Sequence, residues 1–208
     1  MNRLDNFINE CDIALKTLSF KKSGTGRSYP ANETSSSLSK EEKSLSAQLM
    51  RVNLAGEVAA QALYRGQAMV CKDAEIKNHL VQAGEEETDH LIWCKKRLEE
   101  LNGKPSILNP VWYAGSFAIG AIFGSFGEKT SLGFVEETEK QVVKHLEKHL
   151  DKVSKNDAET IEILKTMRAD EDEHAQEAIE NGSESLSEPT KKVMSFTAKV
   201  MTSSSAYI

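Results

Sequence analysis

Two Glu-x-x-His tetrads, Glu87 to His90 and Glu171 to His174, sit on apolar helical stripes, and that placement limits what this chain can fold into. Around the first, Ile76, Leu80, Ala83, Glu87, His90, Cys94, Leu98 and Leu101 follow in steps of three and four, the spacing of one helix face. Ile161, Leu164, Met167, Glu171, His174 and Ala178 repeat the pattern. Two single glutamates fall on similar stripes. Glu57 shares one with Met50, Leu54, Ala60 or Gln61, Tyr64, Ala68 and Cys71; Glu136 lies one turn beyond Leu132, with Val143, Leu146, Leu150 and Val153 further along. Four carboxyls and two imidazoles thus point toward one interior. A single ionised, unpaired carboxylate in a dry core costs several kcal/mol, comparable to a domain's net stability of roughly 5–15 kcal/mol. A cation must compensate, and this donor set suits two divalent irons, with manganese as the substitute. Residues three apart on a helix are neighbours, so each Glu and His of a tetrad can reach the same metal pair.

The rest of the chain supplies helices to carry these stripes. Glycine and proline are scarce between residues 45 and 101, and no β-type alternation persists, so the expected fold class is all-α. Long helices are predicted from Ser44 to Lys72, from a cap at Asp73 to Asn102-Gly103, from Gly127 to Val153, and from a cap at Asn156 or Asp157 to Asn181-Gly182. Two helix pairs separated by a long connection match the wiring of a ferritin-like four-helix bundle, in which two helices give one Glu each and two give Glu-x-x-His. Leu4, Phe7, Ile8, Cys11, Leu15 and Leu18 predict an amphipathic helix within residues 1–22. Residues 23–44, rich in Ser, Gly, Asn and Pro, read as a flexible linker, residues 45–208 as the metal-binding domain, and Pro189 to Thr202 as a last amphipathic helix.

Composition narrows the function. The net charge is −6, with both signs interspersed and no basic block, which excludes nucleic acid as an expected partner. Three cysteines without a CxxC pair exclude a zinc ribbon and fit a reducing compartment. Asp5, Glu10, Asp12 and Lys16 interrupt any secretory leader, so a bacterial intracellular protein is expected. Glu85, Glu86, Glu137, Glu139, Glu147, Glu173 and Glu177 read as solvated surface charge. His79, His145 and His149 stay open; for His145 and His149, four apart on one helix, a surface place or one beside the ligands is expected over ligation.

At the tetrads the chain resembles the demethoxyubiquinol hydroxylases of ubiquinone biosynthesis. The resemblance rests on RVNLAGEVAAQALYRGQA (Arg51 to Ala68), EETDHL (Glu86 to Leu91), GFVEETE (Gly133 to Glu139) and ADEDEHA (Ala169 to Ala175), and extends over residues 45–205. It implies an oxygen-dependent di-iron monooxygenase acting on the ring of a demethoxylated polyprenyl quinol. The implied iron ligands are Glu57, Glu87, His90, Glu136, Glu171 and His174. The family usually has His where this chain has Leu54; that position is not among the six, so the departure bears on tuning around the metals. Tyr64, two turns from Glu57, is a candidate neighbour of the site. A ferritin-like iron-storage or peroxide-scavenging protein and a non-catalytic membrane-associated scaffold are the alternatives.

A polyprenyl substrate resides in a bilayer, and the 23 residues from Pro105 to Gly127 carry no charge. If they crossed a membrane, Glu136 and Glu171 would be separated from Glu57 and Glu87, so spanning is excluded. An interfacial segment is expected instead, with Trp112, Tyr113, Phe117, Ile119, Ile122, Phe123 and Phe126 entering the bilayer edge. The expected location is peripheral, on the cytoplasmic side of a bacterial inner membrane. The same apolar surface would also serve a homo-oligomer or other ubiquinone-biosynthesis proteins.

Overall fold

The computed structural model describes residues 3–31 and 37–208; residues 1, 2 and 32–36 of the expected N-terminal helix and linker, and the side chains of Arg3, Asn6 and Phe7, lie outside this description. Among the described residues the fold is all-helical, with no strand: α1 Arg3–Leu18, α2 Lys40–Val70, α3 Ala74–Glu100, α4 Asn109–Gly124, α5 Glu128–Lys152, α6 Ala158–Glu180 and α7 Glu188–Ser205. Tight turns join α2 to α3 and α5 to α6, giving two helix pairs, and α3 packs on α6 where the pairs meet.

Local chemistry sets the ends. Asp73 caps α3 by accepting from the backbone N–H groups of Glu75 and Ile76, and Asp157 caps α6 by accepting from Thr160 N–H at 3.0 Å. The first long helix starts four residues earlier than its apolar stripe suggests. Ser39 Oγ accepts from the Glu42 N–H at 3.2 Å while the Glu42 carboxylate accepts from the Ser39 N–H at 2.8 Å, a reciprocal capping box that places Lys40 to Lys43 within the helix. Glu42 also accepts from Ser154 Oγ and Asn156 Nδ2, across the bundle; these bonds, led by Ser154, bring its carboxyl down to about 2.

Residues 22–31 are not free linker. Lys22 donates to Gln61 Oε1 and to the Gly84 carbonyl, Thr25 to Asp89, and Tyr29 to Glu100, so this segment lies as a strap across α2 and α3.

The uncharged segment forms α4, whose 16 residues extend roughly 24 Å, short of the about 30 Å of a bilayer's hydrocarbon core. Among the described residues no helix is long and apolar enough to cross a membrane. Instead α4 lies along α2 at glycine-limited distance. A methyl group on Gly120 would sit 2.2 Å from the Leu63 carbonyl oxygen, and one on Gly66 would sit 2.2 Å from that of Phe117. This contact decides which side of α4 faces inward. Tyr113 is buried, Phe117 packs on the main core cluster, Phe123 stacks on Phe134 with centroids 4.2 Å apart, and Trp112 donates to Ser205 Oγ at 3.0 Å. The outward stripe is Ile107, Val111, Ala118, Ile122 and Phe126, so Ile122 and Phe126 are the exposed members of the expected set.

Candidate metal centre

α2 contributes Glu57, α3 Glu87 and His90, and α6 Glu171 and His174, each at most 5% exposed. Single ligand atoms of Glu57, Glu87, His90 and Glu171 all lie within 4.8 Å of one another. The two tetrads face each other with a two-fold logic. Glu87 turns Oε2 to His90 Nδ1 at 3.0 Å and Oε1 to His174 Nδ1 at 3.1 Å. Glu171 does the same, with Oε1 3.2 Å from His90 Nδ1 and Oε2 3.6 Å from His174 Nδ1. Both carboxylates are thus shared between two imidazoles whose ring centroids are 6.5 Å apart. Glu57 stands on the His90 side, its Oε2 3.8 Å from Nδ1.

The outer ring nitrogens are held crosswise by the residue preceding the opposite tetrad. His90 Nε2 meets Asp170 Oδ2 at 2.8 Å, and His174 Nε2 meets Glu86 Oε2 at 3.0 Å. A carboxylate on one nitrogen fixes the tautomer and turns the other toward the cluster, as around metal-ligating histidines generally. Glu86 is therefore no idle surface charge.

Glu136 is not brought to this centre. Its side chain lies at the periphery, where Lys140 Nζ donates to Oε1 at 2.5 Å and Ser183 donates to Oε2. Burial opposes ionisation there, but these two partners hold its carboxyl below the usual value. The residue that α5 turns inward is Glu139, read from sequence as a surface charge and in fact 1% exposed. Tyr64 donates to Glu139 Oε1 at 2.7 Å. The signal that could have found it lies in the α5 ladder. From Leu132 to Leu146, a path in steps of three and four can pass through either Val135 or Glu136, and the first route continues in strict alternation through Glu139 and Val142. Val135 is 2% exposed, so the ladder takes the first route.

The electrostatics are those of a crowded anionic core. Burial first, then Glu87 and Glu171, push the Glu57 carboxyl well up; burial, Glu171 and Glu87 do the same to Glu139. Glu87 is held below the usual carboxylate range because His90 and His174 outweigh its burial. Both imidazoles are raised, against their own burial, by the surrounding carboxylates. Glu87 Oε1, Glu171 Oε2 and His174 Nδ1 are buried without an aligned hydrogen-bond partner, although the first and last are only 3.1 Å apart. Buried lone pairs converging without donors are what a cation would satisfy. Cys94 stays a thiol beside them, its pKa pushed up by burial and by Glu57. His145 and His149 stack on each other at 4.0 Å, outside this cluster. Burial lowers them to about 4 and about 2, so they are neutral.

The fold and cluster define a ferritin-like helical-bundle protein whose core could hold metal. Comparison with known proteins then places it. Residues 44–205 match the family described as Ubiquinone biosynthesis protein COQ7, and the chain belongs to that family. Relatives named 3-demethoxyubiquinol 3-hydroxylase include one from Legionella pneumophila (strain Lens), 50% identical over 207 residues, covering 99% of this chain and 97% of its own. One from Francisella philomiragia is 49% identical, covering 96% and 94%, and one from Nitrosococcus oceani is 47% identical, covering 100% and 98%.

Proposed function

We propose that this chain is a di-iron monooxygenase that hydroxylates the ring of a demethoxylated polyprenyl benzoquinol in ubiquinone biosynthesis. The observation that carries the proposal is the sharing of Glu87 and Glu171 between the two imidazoles. Two shared carboxylates, with one imidazole and one further carboxylate on each side, suit a binuclear donor set: His90 and Glu57 would hold one ion, His174 and Glu139 the other. Kinship with proteins named for this reaction supplies the substrate class. Iron bound there supplies oxygen activation, one oxygen atom entering the ring as hydroxyl and the other leaving as water at the expense of two electrons from an external reductant.

The chain's own part is positioning and proton control. Asp170 and Glu86 accept from the outer imidazole nitrogens and keep both Nδ1 atoms on the cluster. Tyr64, its phenol pushed up by burial and by Glu139, remains a proton donor that steadies Glu139 without ionising. Met50, Leu54, Leu91 and Met167, all essentially unexposed, exclude water around them. Leu54 fills with hydrocarbon the place where the resemblance suggests an imidazole. Iron-reconstituted protein supplied with a short-tailed demethoxyquinol, oxygen and a reductant is expected to give the ring-hydroxylated quinol by mass spectrometry. Iron accumulating as mineral without that product would overturn the proposal in favour of storage.

The substrate's tail requires contact with a bilayer, and the α4 stripe provides for it. Val111 and Ile122 on α4, and Phe126 just beyond it, are 59%, 53% and 66% exposed, with no charged residue between Pro105 and Gly127. Ordinary soluble surfaces rarely show such a contiguous apolar strip. We assign it to the membrane interface, consistent with a peripheral location at the cytoplasmic face of the inner membrane. Replacing Val111, Ile122 and Phe126 together by Asp is expected to abolish flotation with phospholipid liposomes while leaving bound iron unchanged. Undiminished flotation of the triple variant would remove α4 from this role.

A further inference from the structure

We infer that Arg27, carried on the strap formed by residues 22–31, is a positioning residue of the metal centre that acts through Asp170 on His90; this rests on the metal-centre reading above. Arg27 grips Asp170 with both arms of its guanidinium, Nη1 to Oδ2 at 2.7 Å and Nη2 to Oδ1 at 3.0 Å. The same Oδ2 accepts from His90 Nε2 at 2.8 Å. A planar fork on both oxygens fixes the carboxylate's plane as well as its position, which a single contact cannot do. Packing also holds the guanidinium in place beside Asp170. The guanidinium carbon lies 4.9 Å from the centroid of Trp93, and Trp93 lies 5.3 Å from the ring of His90.

Asp170 needs this restraint because of its neighbours. Glu86, Glu173 and Glu177 line the same cleft, about 330 Å³ in volume, together with His174 and Arg27 itself. The Asp170 side chain is 17% exposed. Without the guanidinium, its carboxylate faces three like charges and has solvent within reach, so an outward rotamer competes with the bond to His90. His90 then loses the acceptor that sets its tautomer and its aim.

The strap is itself fastened, which makes Arg27 a fixed group. Thr25 donates to Asp89, and a methyl group on Gly24 would meet the Asp89 carboxylate at 2.0 Å, so glycine there lets the strap lie directly against that side chain. A segment that reads as linker therefore closes the outer side of His90 by reaching 143 residues along the sequence.

The test uses the full chain, loaded anaerobically with ferrous iron and then challenged with a ferrous chelator. Wild type is expected to hold two ions per chain and release them slowly. Arg27→Ala should release iron roughly tenfold faster, and Asp170→Asn faster still, in the about 10–100-fold range of groups that orient metal ligands. The double variant should stay close to Asp170→Asn alone, because the effect of Arg27 on His90 runs through Asp170. Arg27 is partly solvent-exposed, so its thermal midpoint should stay within a few degrees of wild type. Wild-type release from Arg27→Ala, independent effects in the double variant, or iron loss only alongside a collapsed midpoint would each overturn the inference. Wild-type protein that takes up no iron would instead overturn the metal-centre reading beneath it.

Discussion

Glu139→Ala is expected to leave the protein unable to hold its full pair of ions and to lower hydroxylation by more than about 100-fold, whereas Glu136→Ala keeps both ions and most of the activity. The two glutamates are less than one turn apart on α5, and their surroundings oppose each other. Glu136 is neutralised locally by Lys140 and Ser183 at the edge of the bundle. Its removal frees a surface ammonium, a change usually within about 0.5 kcal/mol. Glu139 is enclosed, receives the Tyr64 hydroxyl, and feels Glu171, Glu87 and His174. On the proposed assignment, removing it would delete the carboxylate on the His174 side and leave a second ion there with one imidazole and two shared oxygens. Losing a group that merely orients a ligand costs about 10–100-fold in affinity, and losing the ligand should cost more. Metal per chain, measured by elemental analysis on protein reconstituted under equal conditions, separates the two variants. A Glu136 variant that loses iron while a Glu139 variant keeps it would return Glu136 to the centre.

This choice shows where sequence reading stops. On α3 and α6 the flanking seams fix the phase, because Leu80, Ala83, Cys94 and Leu98 bracket Glu87 and His90, while Leu164, Met167 and Ala178 bracket Glu171 and His174. On α5 the apolar residues before the glutamates are contiguous, Leu132 to Val135, so they mark no single face and the phase is decided only by packing against α6 and α4. The inward side of α4 was illegible for a related reason. A stretch without charge has little amphipathic contrast, and the glycines that let it approach α2 are visible as a face only once Leu63 and Phe117 are in place. Ser39 and Glu42 spell a capping box, yet a polar run before the apolar stripe conceals where the helix begins. The strap is the least legible element, since its contacts with Asp89, Glu100 and Asp170 join residues 64 to 143 positions apart.

Outside the candidate metal centre, Asp157→Ala is expected to cost about 3–5 kcal/mol of folding stability. Asp157 is completely buried and does three jobs at once. Its Oδ1 accepts from the Thr160 backbone N–H at 3.0 Å, capping α6, and from Arg97 Nη2 of α3 at 2.7 Å. Its Oδ2 accepts from Ser46 Oγ of α2 at 2.5 Å. One carboxylate therefore ties three of the four long helices at this end. Arg97, 4% exposed, also donates to Thr160 Oγ1 and to Glu159 and Glu100. Alanine at 157 leaves a buried guanidinium short of a partner, and breaking such a pair on one side costs about 3–5 kcal/mol, more than the pair's net worth. A lost cap adds about 1 kcal/mol to the same variant. Asp157→Asn retains an acceptor for Thr160 and should fall between alanine and wild type. In a chain of this length, each kcal/mol lowers the melting midpoint by roughly 2–4 °C, so the alanine variant should melt on the order of 10 °C early. Arg97→Met combined with Asp157→Leu should cost less than the sum of the two single changes, because no charge is then stranded. Urea unfolding of the five variants decides it: a loss below about 1 kcal/mol for Asp157→Ala would show that the three helices are held at this end by apolar packing alone.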